Sequence, residues 1–235
     1  MEDQLNSPRR VVFTGLGIVS PIGIGVDPFW ESLLAGRSGV GRVECLPYIG
    51  APDCAAGEVR EFTDSAARKQ YLRQHRKSIK VMCREIQLGV ASAMQALEQS
   101  ALAMDQIDHE RLGVDFGANL MFSPPSVLRD ACMMSLREDE TTPVFDFNRW
   151  GGEGINGMEP LWLLRYLPNM PACHIGIAAD ARGPNNSITM DEASANLVLG
   201  EAAAIIRRGR ADAMIAGTTG TRVHPVKPMH AKMWD

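Results

Sequence analysis

Short apolar, β-branched runs alternate with longer stretches of helical periodicity along this chain of 235 residues, which predicts a layered α/β fold. Three observations carry that reading. Ile79, Met82, Ile86, Val90, Ala93 and Leu97 recur at helical spacing, predicting an amphipathic helix over residues 78–102. RVVFT (10–14), RLGVDF (111–116) and AMIA (213–216) read as strands. Between Thr189 and Arg208 the residues are apolar or tiny on nearly every helical face, so that helix is expected to be buried on all sides.

The remaining elements follow in order. Residues 1–9 form a polar lead, expected to be disordered. The strand at 10–14 ends in a glycine turn. Asp27 is placed to cap a helix with Pro28 in its first turn and Phe29, Trp30, Leu33 and Leu34 on its inner face. Gly36–Gly41 supplies the turn that closes it. Residues 42–76 lack periodicity and read as an excursion over the surface. A helix is expected over 125–136, a glycine-rich loop over 137–160, and a short helix over 161–167, stopped by Pro168 and Pro171. Residues 175–178 read as a short strand.

Composition narrows the function classes. A net charge of -4 argues against nucleic acid as the main partner. The dense basic stretch from Arg68 to Lys80 reads either as a solvated face or as a docking patch for an acidic carrier. Cys45, Cys54, Cys83, Cys132 and Cys173 form no CxxC pair and no metal-ligand spacing, which fits free thiols in a reducing cytoplasm. The N-terminus lacks an apolar h-region, and no apolar run approaches the roughly 20 residues of a membrane span. A soluble cytoplasmic protein is expected.

Several candidate sites fall away. The cluster TGLGIVSPIGIG from Thr14 puts Ser20 where a dinucleotide fingerprint needs its third glycine, so the turn reads as structural. His75, His109, His174, His224 and His230 make no HExxH, and no two share a helix face at ligand spacing. His174 reads as a satisfied core histidine, and the Pro-broken HPVKPMH tail offers only a weak metal motif. No Ser-His-Asp set and no GxSxG is present. No cofactor and no metal is expected.

Asp191 and Glu192 remain. Thr189 with Glu192 three residues on matches a capping box, and acidic side chains suit the positive end of a helix dipole. The functional alternative is a carboxylate held at a buried helix start, binding a cation or an amide. Being adjacent on a helix, the two acids point in different directions and make no acid/base pair.

Three segments resemble the β-ketoacyl-acyl-carrier-protein synthases, the condensing acyltransferases of fatty acid and polyketide synthesis. They are RRVVFTGLGIVSPIGIGVDPFWESLLAGRSGV, NMPACHIGIAADARGPNNSIT and GEAAAIIRRGRADAMIAG. The resemblance implies the N-terminal half of a thiolase-like layered α/β fold over residues 10–220. Residues 221–235 would then be a tail or the start of a second half. It also implies acyl and malonyl thioester substrates on acyl carrier protein, and a homodimer or a heterodimer with a synthase-like chain. In the family a cysteine at the start of the buried helix takes the acyl group, and the helix dipole favours its thiolate.

Laid on that motif, SITMDEASA puts Glu192 at the nucleophilic cysteine. The resemblance implies that the family's two assisting histidines would lie in a second half expected to be missing from this chain. The resemblance therefore implies a synthase-like chain that does not condense alone, or a non-catalytic partner like the chain-length factors, which also replace the cysteine. Leaving half of the helix wet would forgo on the order of 10 kcal/mol of burial at roughly 25 cal/mol per Å2. A covering partner or second half is expected.

Overall fold

A computed structural model describes residues 9–46, 55–137, 142–228 and Met233. Its centre is a parallel three-stranded sheet in the order β2-β1-β3, where β1 is Leu112–Ala118, β2 is Asn185–Asn186 and β3 is Ala213–Thr219. β1 pairs with β3 along its whole length, from Leu112↔Ala213 to Ala118↔Thr219. β2 adds only Val114↔Asn185 and Asp115↔Asn186 on the other edge. Every residue of β1 is buried, as a central strand covered on both faces requires.

The helices, in chain order, include α1 Val26–Leu34, α2 Arg84–Ser100, α3 Pro125–Met134, α4 Phe147–Gly152, α5 Met170–Ala179 and α6 Ser194–Arg207. α2 and α5 pack on each other and on one face of the sheet, and α6 covers the opposite face. The main core lies on the α2–α5 side, where Ile86, Val90, Val114, Phe116 and Ile175 meet Phe62, Leu72 and Met82. Alternation along β1 explains the asymmetry. Phe116 points to α2, whereas Gly117 faces α6 so closely that a Cβ there would stand 2.8 Å from Ser194 Cβ.

Several expectations need correction. Residues 10–14 are not a strand; the segment runs on to cross α2, with Val12, Phe13 and Leu16 exposed. Its peptide groups bond to side chains instead, Leu16 N–H to Gln99 Oε1 at 2.6 Å and Ile18 N–H to Gln95 Oε1 at 3.3 Å. Cβ atoms at Gly15 and Gly17 would come within 2.0 and 1.8 Å of α2 carbonyl oxygens, so these glycines let the backbones touch. Residues 175–178 are the end of helix α5, not a strand. A short apolar run reads the same in either state, and Pro171 in the first turn decides it.

The helix expected over 78–102 is a 3-10 turn, Ile79–Val81, followed by α2, and its predicted apolar face is inward. Residues 42–76 do more than cross the surface, because Phe62, Ala67 and Leu72 from this stretch are buried in the core. The loop at 137–160 contains α4, capped by the Asp146 carboxylate on the Asn148 N–H. Gly25 rather than Asp27 is the N-cap of α1, and its Trp30, Leu33 and Leu34 are exposed because only short elements pack beside it. No helix among the described residues is long and apolar enough to cross a membrane. The polar lead at 1–8, Cys54 and His230 lie outside the described residues.

Candidate functional site

The carboxyl ends of β1, β2 and β3 open onto one edge of the sheet, the usual place for a ligand crevice in an open α/β sheet. The turn from β2 into α6 carries Glu192 to that edge. Asp191 adopts the left-handed region at φ 46°, a conformation that aspartate tolerates better than most residues. The chain then makes a 3-10 turn, Asp191–Ala193, before α6 begins. Ser194 fastens the turn: its hydroxyl accepts the Met190 N–H at 2.8 Å and donates to the Ala118 carbonyl at 3.3 Å.

That geometry replaces the expected capping box. Met190 rather than Thr189 stands at the N-cap of the 3-10 turn, and neither that turn nor α6 has a side-chain cap. Glu192 is exposed rather than buried, and its carboxylate accepts a hydrogen bond from the Arg222 guanidinium beyond β3. Its own backbone N–H first, and Arg222 second, hold the carboxyl below the usual carboxylate range. The group is therefore ionised at neutral pH.

Behind this pair lies a buried polar cluster that the sequence did not reveal. Lys227 Nζ reaches the Thr221 carbonyl at 2.9 Å, and Glu85 Oε1 and Asn119 Oδ1 at 3.3 Å each. Both members of the Lys227–Glu85 ion pair are more than nine-tenths buried. The Thr219 hydroxyl donates to the Glu85 carbonyl at 2.6 Å, tying the end of β3 to the start of α2. No local spacing signals a pair separated by 142 positions.

His224 belongs to the same edge. It is buried, its Nδ1 accepts the Val226 N–H at 3.1 Å, and burial pushes its pKa down. His174 is buried on α5, which packs against β1. Burial holds it neutral despite a backbone hydrogen bond at Val81, and its Nε2 has no partner among the described residues, so it is only partly satisfied. Neither histidine is hydrogen-bonded to Glu192, whose carboxylate pairs with Arg222, and no group of three His, Cys, Asp or Glu among the described residues could hold a metal ion. Two of the cysteines are poor nucleophiles: Cys83 is buried with its thiol pushed up to about 12, and Cys45 is raised to about 11.

α6 itself departs from expectation. Val198, Ala202 and Ile205 are buried on the sheet, but Leu197 and Leu199 on the outer side are 45% and 37% exposed. The described chain covers one face of this helix and leaves the other open, so it is not buried on all sides.

Comparisons with known proteins place this geometry. The family profile for the beta-ketoacyl synthase N-terminal domain matches residues 8–234. The 3-oxoacyl-[acyl-carrier-protein] synthase 2 of Coxiella burnetii is 33% identical over 212 residues, covering 90% of this chain and 45% of that protein. Its namesake from Synechocystis is 27% identical over 218 residues, covering 93% and 47%. The chain thus spans about half the length of the curated relatives it matches. Among solved structures, the ishigamide ketosynthase/chain length factor superposes with a TM-score of 0.69 at 22% identity, over 90% of this chain and 47% of that one. A type II PKS acyl-carrier protein in complex with its ketosynthase gives 0.65 at 19%, over 94% and 54%. These likenesses establish a thiolase-like ketosynthase fold.

Proposed function

This chain belongs to the β-ketoacyl synthase family, and from that premise we propose that it is a synthase-like protein of fatty acid or polyketide synthesis that does not condense on its own. Residues 10–220 form the N-terminal-like domain, and 221–235 are a tail or the start of a second half. The observation that carries the reading is Glu192 on the turn between β2 and α6, held ionised beside Arg222. In the family's motif that place belongs to the acyl-accepting cysteine.

The chemistry follows from the substitution. A cysteine thiolate displaces the carrier thiol and keeps the acyl group as a thioester of similar energy. A carboxylate would form a mixed anhydride, far more prone to hydrolysis and a poor resting place for an acyl chain. Its negative charge also opposes an enolate forming beside it. Arg222 and the Glu192 N–H lower the carboxylate's basicity and with it its nucleophilicity.

Acyl and malonyl thioesters on acyl carrier protein are the proposed ligands. The exposed Arg68, Lys69, Arg73, Arg76, Lys77 and Lys80 support an acidic carrier as partner, with Leu72 and Ile79 of the same stretch anchored in the core. The free thiols of Cys45, Cys83, Cys132 and Cys173 suit the cytoplasm. A second reading, a chain-length-factor-like subunit of an active synthase in a heterodimer, is favoured by the open outer face of α6.

The test is a product assay. Incubated with acyl- and malonyl-carrier thioesters, neither the wild-type chain nor Glu192→Cys should yield a 3-ketoacyl product. Such a product from either would overturn the proposal.

A further inference from the structure

At the carboxyl edge of the sheet an amine, an amide and a carboxylate meet away from water. Lys227 Nζ lies 3.3 Å from Asn119 Oδ1, one bond from the amide carbon, and 3.3 Å from Glu85 Oε1. The Lys227 and Glu85 side chains are more than nine-tenths buried, and Asn119 is half-buried. The three residues come from separate places in the chain: just past the end of β1, the first turn of α2, and the segment after β3.

Each member is held in place. The Asn119 amide donates from Nδ2 to the Thr221 carbonyl at 3.3 Å, which leaves Oδ1 toward Lys227. A Cβ at Gly220 would stand 2.9 Å from Asn119 Cγ, so the glycine lets the backbone after β3 press against the amide. The same Thr221 carbonyl aims Lys227 by accepting from Nζ at 2.9 Å. The Thr219 hydroxyl ties the Glu85 backbone to the end of β3. Lysine amines and asparagine amides are inert toward each other when free in water. Fixed together with a carboxylate able to carry protons, they become one intramolecular reaction centre.

We propose that Lys227 and Asn119 join in an intramolecular isopeptide bond, with Glu85 as the proton acceptor. Glu85 takes one proton from the Lys227 ammonium, and the freed amine adds to Asn119 Cγ. A second proton passes from Nζ to Nδ2, the Cγ–Nδ2 bond breaks, and ammonia leaves. A secondary amide and a neutral Glu85 carboxylic acid remain, and no oxidant or co-reactant is consumed. Burial favours this outcome, because a buried ion pair is replaced by neutral groups. The link closes a loop of 108 positions and so restricts the unfolded chain. It also pins the segment that carries Arg222 to Glu192. The bond forms whether or not Glu192 accepts an acyl group, so it stands apart from the synthase-like reading.

Mass spectrometry of the purified full chain tests this directly. The intact wild-type protein should weigh one ammonia less than its sequence, and a tryptic digest should contain the Asn119 and Lys227 peptides joined. Asn119→Ala should keep its full sequence mass. So should Glu85→Gln, which preserves the shape of the side chain but cannot take the proton. Circular dichroism checks that both variants fold, and the wild-type digest decides the question even where they do not. A folded wild-type chain at its full sequence mass would overturn the proposal. So would an ammonia loss that maps elsewhere, such as a hydroxylamine-sensitive succinimide at Asn156–Gly157. A cross-link formed to the same extent in folded Glu85→Gln would also overturn it.

Discussion

The two faces of the central sheet are finished to different degrees. On the α2–α5 side, Ile86, Val90, Phe116 and Ile175 close a core reinforced by Phe62 and Leu72 from a stretch without periodicity. On the α6 side, glycine and aspartate alternate along β1, Leu197 and Leu199 stay wet, and Asp115 is buried without a hydrogen-bond partner among the described residues. The first face is satisfied by this chain. The second has the composition of a buried layer without its cover, and it is this second face that leads to Glu192.

The largest effects are expected on the finished side. Lys227→Met leaves Glu85 buried and unpaired and should cost about 3–5 kcal/mol in urea denaturation. Ile86→Ala should cost about 2–5 kcal/mol by emptying the core, whereas Leu197→Ala on the outer face of α6 should stay within about 0.5 kcal/mol. Equal costs for Ile86→Ala and Leu197→Ala would break the comparison.

Asp115 gives the open face its own signature. Burial, and to a lesser degree the Glu201 charge, push its carboxyl up to about 6. The folded state then holds a proton that the unfolded state, with a carboxyl near 3.9, has released. Its contribution is fully present below about pH 4 and is lost as pH rises through 6, by at most about 3 kcal/mol. Carboxyls held low, such as Asp212 beside Arg111, act in the opposite sense. The comparison is therefore wild type against Asp115→Asn, whose stability advantage should grow between pH 4 and 6 and then level off. A constant difference across that range would remove Asp115 from the account.

The smallest structural effect is expected at the sheet edge. Glu192→Cys should leave the denaturation midpoint unchanged, because Glu192 is exposed. Its thiol, beside Arg222 and the start of α6, should react with iodoacetamide at least about tenfold faster than Cys45. Equal rates would mean that the turn does not favour an anion.

Legibility in the sequence followed the same divide. The face of α2 could be read because Ile79, Met82, Ile86, Val90 and Ala93 repeat at helical spacing, and β1 because Leu112, Val114 and Phe116 alternate along a short run. Helix α5 was misread over 175–178, since an apolar run has no period to distinguish helix from strand. The edge at 10–14 has strand composition, but its segment goes on to lie across α2, where glutamine side chains bind its peptide groups. The Glu192–Arg222 and Lys227–Glu85 pairs and the isolation of Asp115 join residues far apart in sequence, so no local pattern announces them. The place of Glu192 was legible only through the family motif; its exposure was not.

Intact-protein mass spectrometry after incubation with an acyl-carrier thioester tests the central claim, that Glu192 sits on a retained nucleophile turn without serving as an acyl acceptor. The account predicts no change in the mass of the wild-type chain. A stable acyl adduct mapping to Glu192 would contradict it.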